Sequence, residues 1–217
     1  MVARLRFQLI DKQVQKEFGK HVGMILGITG GMGCGKSAAT SMFEKAGYCR
    51  IDSDALVRDR VLTAPDVIER ISARFGAGVF QTGGSVNRTE LGKRVFADDA
   101  ERQWLEELTH PKLFALWREA LARWPDGRWV IEVPLLFEKG LQNWFDFTVC
   151  VACAPAQQLA RLEQRGLSHA LAEQRISKQL PLARKIELAD FVLWNDGSVS
   201  FLQDQVTELS RNLQVAN

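Results

Sequence analysis

A glycine-rich segment that ends in a lysine and a serine is the strongest chemical signal in the sequence. Residues 30–37 read GGMGCGKS and match the pattern G-x-x-x-x-G-K-[ST] in full. Glycines let a backbone curl until several N–H groups converge on an anion, and a following helix adds the positive end of its dipole. The pattern predicts a phosphate-binding loop, in which Lys36 neutralises the β- and γ-phosphates of a nucleotide and Ser37 binds Mg²⁺.

Carboxylates follow two of the predicted strands. Asp52 and Asp54 are two residues apart, so in extended chain they share a face. Either one could accept a proton from an acceptor hydroxyl or hold Mg²⁺ through water, but Asp52 also fits a helix N-cap and Asp54 a first-turn acid. Glu132 ends an apolar strand, where an acid is costly unless it is paired, and this favours a functional role. Many phosphate-loop proteins have an acid beside Mg²⁺ at the corresponding place. The residues leave the choice of a base among Asp52, Asp54 and Glu132 open.

Basic and thiol side chains give two further patterns. Arg161 and Arg165 lie four residues apart on one predicted helix and Arg175 follows on the next, which suits a polyphosphate between them or a solvated basic face. Cys150 and Cys153 have the spacing of metal ligands, but they lie in the apolar run FTVCVACA and no second pair completes a zinc site. We therefore interpret these two cysteines as buried residues of a strand.

The elements around these residues follow the order strand, turn, helix, strand. Short apolar runs bounded by turn residues predict buried strands, and apolar spacings of three and four predict helices. Thr89 is the expected cap of one helix, and a new helix is expected after His110–Pro111. This order predicts an α/β fold with a parallel sheet. The predicted strands are 24–29, 48–52, 129–133, 146–152 and 191–194, and the other predicted helices include 36–46, 65–75, 155–165, 170–180 and 199–213.

Length and charge exclude several classes of protein. The 217 residues carry 28 Lys and Arg against 26 Asp and Glu, a net charge of +2 that gives no broad field for nucleic acid or an anionic membrane. There is no apolar stretch near the ~20 residues that a membrane span needs. Four cysteines are too few for a disulfide framework, so we expect reduced thiols and a cytoplasmic protein.

Taken together, the motifs resemble those of the dephospho-coenzyme A kinases. The phosphate loop alone is common to many families, whereas the D-x-D, T-H-P and VPLLFE segments are more specific. The resemblance runs from residue 24 to about residue 213 in the family's order. The segments that carry it are ITGGMGCGKS (28–37), IDSD (51–54), NRTELGKRVF (87–96), LEELTHP (105–111), EVPLLFE (132–138), RLEQRG (161–166), RISKQ (175–179) and ADFVLWN (189–195).

The resemblance implies an ATP-dependent kinase that phosphorylates the ribose 3′-hydroxyl of dephospho-coenzyme A. It implies a parallel-sheet phosphate-loop NTPase core with an inserted helical acceptor region and a helical lid. Residues 1–23 would be an extension outside the fold, or alternatively an amphipathic helix that touches the core, a partner or a membrane surface. The core would comprise residues 24–54, 110–154 and 186–217, the acceptor region 55–109 and the lid 155–185.

The resemblance also implies a role for each residue of this chain that matches a functional position of the family. Asp54 matches the family's general base, and Arg165 matches a lid arginine that reaches the phosphates alongside Lys36. Asp52, His110, Leu135 and Glu138 would lie near the acceptor. Ser37 and Glu132 would serve Mg²⁺, although the family has Asp where this chain has Glu132. The expected ATP-binding residues are Gly31, Met32, Gly33, Cys34, Gly35, Lys36, Ser37, Ala38 and Asn195.

Two other functions fit parts of the sequence. Another phosphate-loop small-molecule kinase, such as a nucleoside monophosphate kinase, would differ in its acceptor. A nucleotide-dependent switch would hydrolyse its nucleotide slowly without an acceptor, but the chain lacks a guanine-type N-K-x-D motif, and Asn195-Asp196-Gly197 does not supply one. The expected partners are therefore ATP and dephospho-coenzyme A, with neither nucleic acid nor a membrane, and the oligomeric state stays open.

Overall fold

The structure is a computed structural model that describes residues 23–215. The interpretation of residues 1–23 therefore lies, except for Gly23, outside the described residues. The described chain divides into two compact units. The first consists of residues up to Ile51 together with those from Trp124 onwards, and the second is Asp52–Arg123.

A five-stranded sheet forms the centre of the first unit in the described part of the chain. Its strand order is β2-β3-β1-β4-β5, and β1 pairs in parallel with both β3 and β4, as β4 does with β5. Every residue of the first and third strands is buried, as expected for a parallel sheet covered on both faces. The predicted α/β fold is confirmed. The strands are β1 (Ile25–Gly30), β2 (Cys49–Asp52), β3 (Trp129–Glu132), β4 (Phe147–Ala152) and β5 (Phe191–Trp194).

The α-helices lie between most of these strands, although only a 3₁₀ turn separates β3 from β4. Short π-helical and 3₁₀ turns occupy Val57–Val61, Ala77–Val79 and Gln142–Trp144. Within residues 23–215 the α-helices are α1 (Lys36–Lys45), α2 (Ser53–Leu56), α3 (Pro65–Phe75), α4 (Arg88–Ala97), α5 (Asp99–Arg123), α6 (Pro155–Gln164), α7 (His169–Ser177), α8 (Leu182–Leu188) and α9 (Val199–Val215).

The first unit packs α1 and α9 into one hydrophobic core with the sheet. Phe43 of α1 and Leu26 of β1 are completely buried there, and Leu202 and Val206 supply the buried face of α9. Burial of each such side chain stabilises the fold by roughly 1.5–3 kcal/mol. This packing fixes the end of β1 and the start of α1, between which the phosphate loop lies.

The second unit has a core of its own, built from α3, α4 and α5. Val67 and Ile71 lie one helical turn apart on α3 and are fully buried. They belong to the same cluster as Leu91, Val95 and Leu108. Pro65 begins α3, and Gly76 follows its end with a φ of 70°, as the sequence predicted.

Two local expectations were wrong, and one helix was missed. The helix after His110–Pro111 is not separate, since α5 runs without a break through Pro111, with Leu108 and Leu113 buried on either side. This packing outweighs the loss of the one N–H that proline lacks. Asn87, not Thr89, caps α4, because its side chain accepts hydrogen bonds from the N–H groups of Thr89 and Glu90. Helix α8 was not predicted at all.

Candidate active site

The phosphate loop connects the buried strand β1 to helix α1, as its sequence predicted. Gly33 and Gly35 have φ angles of 80° and 96°, in the left-handed region that favours glycine. A side chain at Gly35 would collide with Nδ2 of Asn195, and one at Gly33 would press on the backbone carbonyl of Gln158. Both conformation and space therefore require glycine at these two positions.

Donors from elsewhere in the first unit hold the carbonyl groups of this loop. Gln158 Nε2 donates to the Met32 carbonyl at 2.8 Å, and Asn195 Nδ2 donates to the Cys34 carbonyl, also at 2.8 Å. Lys36 Nζ lies 3.1 Å from the Gly31 carbonyl oxygen and 3.3 Å from that of Gly30. A loop whose carbonyls are bonded to the protein in this way is suited to present its N–H groups to an anion. No motif in the sequence pointed to Gln158.

Glu132 is paired with hydroxyl groups at the start of α1. Ser37 Oγ donates to one carboxylate oxygen at 3.0 Å, and Thr40 Oγ1 donates to the other at 3.3 Å. The guanidinium of Arg50 lies 3.8 Å from the same carboxylate. Glu132 is only 6% exposed, so these partners offset the cost of burying its charge. The structure thus brings together the two residues that were predicted to serve Mg²⁺.

The three predicted phosphate-facing arginines occupy different surroundings. Arg161 donates to the backbone carbonyl of Asn195 at 2.8 Å, which ties α6 to the segment after β5. Arg165 lies exposed at the C-terminal end of α6, and Arg175 is exposed on α7. Arg161 is therefore held by the protein, whereas Arg165 and Arg175 extend towards solvent.

A completely buried lysine on α8 holds the segment after β3. Lys185 Nζ lies 2.8 Å from Glu138 Oε1 and donates to the Pro134 carbonyl at 2.9 Å. The same Glu138 oxygen accepts a hydrogen bond from the Leu180 N–H at 3.0 Å. Leu135 lies half-buried between the two anchored residues of this segment. Sequence reasoning missed Lys185, because no apolar pattern marked its helix.

The remaining predicted site residues belong to the second unit. Asp52 is the N-cap of α2, and its Oδ1 accepts a hydrogen bond from the Ala55 N–H at 2.9 Å. Asp54 is exposed in the first turn of that helix. His110 lies on α5 with its ring 5.7 Å from that of Phe114. The capping interpretation of Asp52 is thus correct, and its catalytic and substrate roles stay predictions.

Cys150 of β4 and Cys153, which directly follows it, belong to no cluster of metal ligands within the part of the chain that the structure describes. Among residues 23–215, no group of three or more His, Cys, Asp or Glu side chains could hold a metal ion. Cys150 is buried in the strand, and this burial raises its pKa to about 11. Cys153 instead donates a hydrogen bond to the sulfur of Cys34 in the phosphate loop, at 3.4 Å. That hydrogen bond is the largest cause of a lowered pKa at Cys34 and of a raised pKa at Cys153.

Within residues 23–215, every helix is too short or too polar to span a membrane.

The sequence and the fold both match known proteins. Residues 24–200 match the family described as dephospho-CoA kinase. The dephospho-CoA kinase of Thermosynechococcus vestitus is 42% identical over 185 residues, which are 84% of this chain and 91% of that protein. The dephospho-CoA kinase of Syntrophotalea carbinolica is 39% identical over 194 residues, which are 88% of this chain and 92% of that protein.

Solved structures agree with this sequence match. TT1252 from Thermus thermophilus superposes with a TM-score of 0.78 at 32% identity, over 88% of this chain and 98% of that one. The dephospho-CoA kinase from Campylobacter jejuni has a TM-score of 0.65 at 23% identity, over 89% and 98% of the two chains, and shares the fold. With a phosphate loop of the required geometry and a family match across most of its length, the chain belongs to the dephospho-CoA kinase family.

Proposed function

We propose that this kinase transfers the γ-phosphoryl group of ATP to the ribose 3′-hydroxyl of dephospho-coenzyme A, with the phosphate loop as its ATP site. The observation that carries the proposal is the loop itself. Its carbonyls are bonded to Gln158, Asn195 and Lys36, and its serine is bonded to Glu132. Phosphoryl transfer consists mostly of positioning and neutralising charge, and this arrangement supplies both.

The loop residues would bind the nucleotide in two ways. The backbone N–H groups of residues 31–38 and the start of α1 bind the phosphate oxygens. Lys36 leaves the carbonyls of Gly30 and Gly31 and contacts the β- and γ-phosphates, since phosphate oxygens carry more negative charge than a carbonyl. Asn195 would have two roles. It holds the Cys34 carbonyl of the loop by a hydrogen bond, and it would lie near the adenine.

Ser37 and Glu132 fit the requirements of Mg²⁺. A hydroxyl and a carboxylate 3.0 Å apart are hard oxygen donors, and Mg²⁺ is usually bound by one or two such protein groups together with substrate phosphates and water. Mg²⁺ held there would neutralise charge on the transferring phosphoryl group. Glu132 has one methylene more than the family's aspartate, and its contacts with Ser37 and Thr40 accommodate that length.

Asp54 is the best candidate for the base that takes the proton of the ribose hydroxyl. Its position in the segment IDSD (51–54) matches that of the family's general base. Asp54 is exposed two residues after the end of β2, so its carboxylate is accessible to a substrate. The proposed acceptor contacts are Asp52, His110, Leu135 and Glu138.

The region 155–185 would act as the lid. It contains α6 and α7, and it carries the exposed Arg165, whose guanidinium would pair with the phosphates when the lid closes. Closure over the phosphates would exclude water, which otherwise competes with the acceptor hydroxyl for the phosphoryl group. Residues 55–109 would form the acceptor-binding region.

An acceptor panel tests this function. Purified protein with ATP and Mg²⁺ is assayed for ADP release with dephospho-coenzyme A, with each nucleoside monophosphate, and with no acceptor. We expect rapid release with dephospho-coenzyme A alone. Faster release with a nucleoside monophosphate would instead identify a nucleotide kinase, and equal release without any acceptor would identify a nucleotide switch.

A further inference from the structure

A thiol of the phosphate loop lies beside a thiol from a distant part of the chain. Cys34 lies in the loop between β1 and α1, and Cys153 directly follows β4. Their sulfur atoms are 3.4 Å apart, although the residues are 119 positions apart in the sequence. The other two cysteines, Cys49 and Cys150, have no such thiol partner among the contacts described.

The surroundings of the pair favour oxidation of Cys34 first. Cys153 donates its S–H to the Cys34 sulfur, and the ammonium of Lys36 also favours the thiolate there. A thiolate, rather than a thiol, is the nucleophile towards peroxides and disulfides. The two residues are 0% and 2% exposed, so an oxidant that reaches them must be close to water in size.

We propose that Cys34 and Cys153 are a redox modification site, at which hydrogen peroxide forms a disulfide that disables the phosphate loop and small thiols reverse it. The site goes beyond phosphoryl transfer, which uses the backbone of residue 34 and not its sulfur. The class of oxidant is a small peroxide, and the class of reductant is a dithiol.

The reaction balances with one peroxide molecule. The Cys34 thiolate attacks one peroxide oxygen, the O–O bond breaks, and a sulfenic acid forms while hydroxide leaves and is protonated to water. The Cys153 sulfur then attacks the sulfenic sulfur, the S–O bond breaks, and a second water leaves with the Cys153 proton. Two thiols are oxidised by two electrons, and one peroxide is reduced to two waters.

Disulfide formation must distort the loop. A disulfide requires a sulfur–sulfur distance of about 2.05 Å, so the two sulfurs must approach each other by roughly 1.3 Å. Cys153 directly follows the central buried strand β4, whereas Cys34 lies in the loop between β1 and α1, whose Met32 and Cys34 carbonyls are held by side-chain hydrogen bonds. The loop therefore moves, and the Cys34 carbonyl moves relative to Asn195. We expect MgATP affinity to fall at least about tenfold, because displacements near 1 Å are costly in such sites.

The test combines a chemical readout with a binding readout. The full-length protein is treated with hydrogen peroxide, blocked with an alkylating reagent, digested and analysed by mass spectrometry, and MgATP binding is measured by calorimetry on the same sample. We expect a linked peptide pair that contains Cys34 and Cys153, a fall in free thiols from four to two under denaturing conditions, and weakened MgATP binding that dithiothreitol restores.

Two variants make the test specific. Cys153→Ala removes the second thiol and the hydrogen bond that favours the Cys34 thiolate. It should bind MgATP normally before treatment, form no linked peptide, and lose MgATP binding more slowly than the wild type in peroxide. Cys150→Ala removes a buried thiol of β4, the strand that Cys153 follows, and should remain as sensitive as the wild type. The proposal is overturned if the linked peptide is absent after peroxide treatment, or if Cys153→Ala loses MgATP binding as fast as the wild type does. Detection of the linked peptide does not depend on which acceptor the kinase phosphorylates, so it tests the disulfide separately from the proposed function.

Discussion

Ser37 Oγ donates a hydrogen bond to Glu132 Oε1 over 3.0 Å, which joins the end of the phosphate loop to the end of β3. Ser37 comes after the loop that follows β1, and Glu132 is the last residue of the neighbouring parallel strand β3. Ligands of such sheets bind at the carboxyl ends of the strands. The contact connects a residue of a common motif with an acid whose role could not be decided from the sequence. It also explains how a charged group is tolerated among the apolar residues of β3.

Glu132→Gln should lower turnover at least about a hundredfold, because the amide keeps the size of the side chain but removes the charge that would face Mg²⁺. Glu132→Asp keeps the charge with a shorter reach and should retain much more activity. Steady-state rates over a range of Mg²⁺ concentrations check both variants, with thermal melts to confirm folding. Wild-type turnover in Glu132→Gln would remove Glu132 from the site.

Lys185→Met should lower the free energy of unfolding by roughly 3–5 kcal/mol, since it leaves the carboxylate of Glu138 without its cation. Arg184→Ala on the same helix removes an exposed ion pair with Glu187 and should cost less than about 0.5 kcal/mol. Urea denaturation of both variants gives the comparison. Equal stability of Lys185→Met and the wild type would show that the buried pair contributes nothing to the fold.

Asn195→Ala should raise the KM for ATP by roughly 5- to 150-fold, because the Cys34 carbonyl loses a donor worth about 1–3 kcal/mol. Gln158→Ala should act in the same direction through the Met32 carbonyl. The matched control is Gln157→Ala, which removes a similar amide hydrogen bond, to the Asp196 carbonyl, away from the loop. If all three variants share the wild-type KM, the loop does not depend on these donors.

Asp54→Asn should lower kcat at least about a hundredfold and leave the KM for ATP within about threefold, because the amide cannot take a proton. Asp52→Asn is the matched variant, since its side-chain oxygen still caps α2 and its turnover should fall much less. Initial rates at saturating and at limiting ATP separate the two parameters. An unchanged turnover in Asp54→Asn would transfer the role of base to Asp52 or Glu132.

Patterns confined to neighbouring residues predicted most of the fold. Strands β1 and β5 are short apolar runs, and glycines mark the loop after β1, so both could be located from the sequence to within a residue. The predicted helix boundary at Pro111 was wrong, because proline usually ends a helix. Only the packing of Leu113 and its neighbours shows that α5 continues. Helix α8 has no apolar stripe, and its buried residue is a lysine.

The site residues that the sequence could not predict are those whose role depends on contacts between distant parts of the chain. The phosphate-loop motif consists of neighbouring residues, so it predicted four site residues directly from the sequence: Gly33, Gly35, Lys36 and Ser37. The hydrogen bonds from Gln158 and Asn195 to the loop, and the approach of Cys153 to Cys34, depend on how β4, α6 and β5 pack against the loop. No spacing in the sequence encodes these partnerships, and only the folded chain brings them together.

The most direct test of the account follows the product of the reaction. Wild-type protein and Lys36→Ala are incubated with ATP, Mg²⁺ and dephospho-coenzyme A, and both ADP and coenzyme A are quantified by chromatography with mass detection. The account predicts equal amounts of ADP and coenzyme A from the wild type, and at most about 1% of that rate from a folded Lys36→Ala variant. ADP without coenzyme A, or activity in Lys36→Ala within about threefold of the wild type, would contradict it.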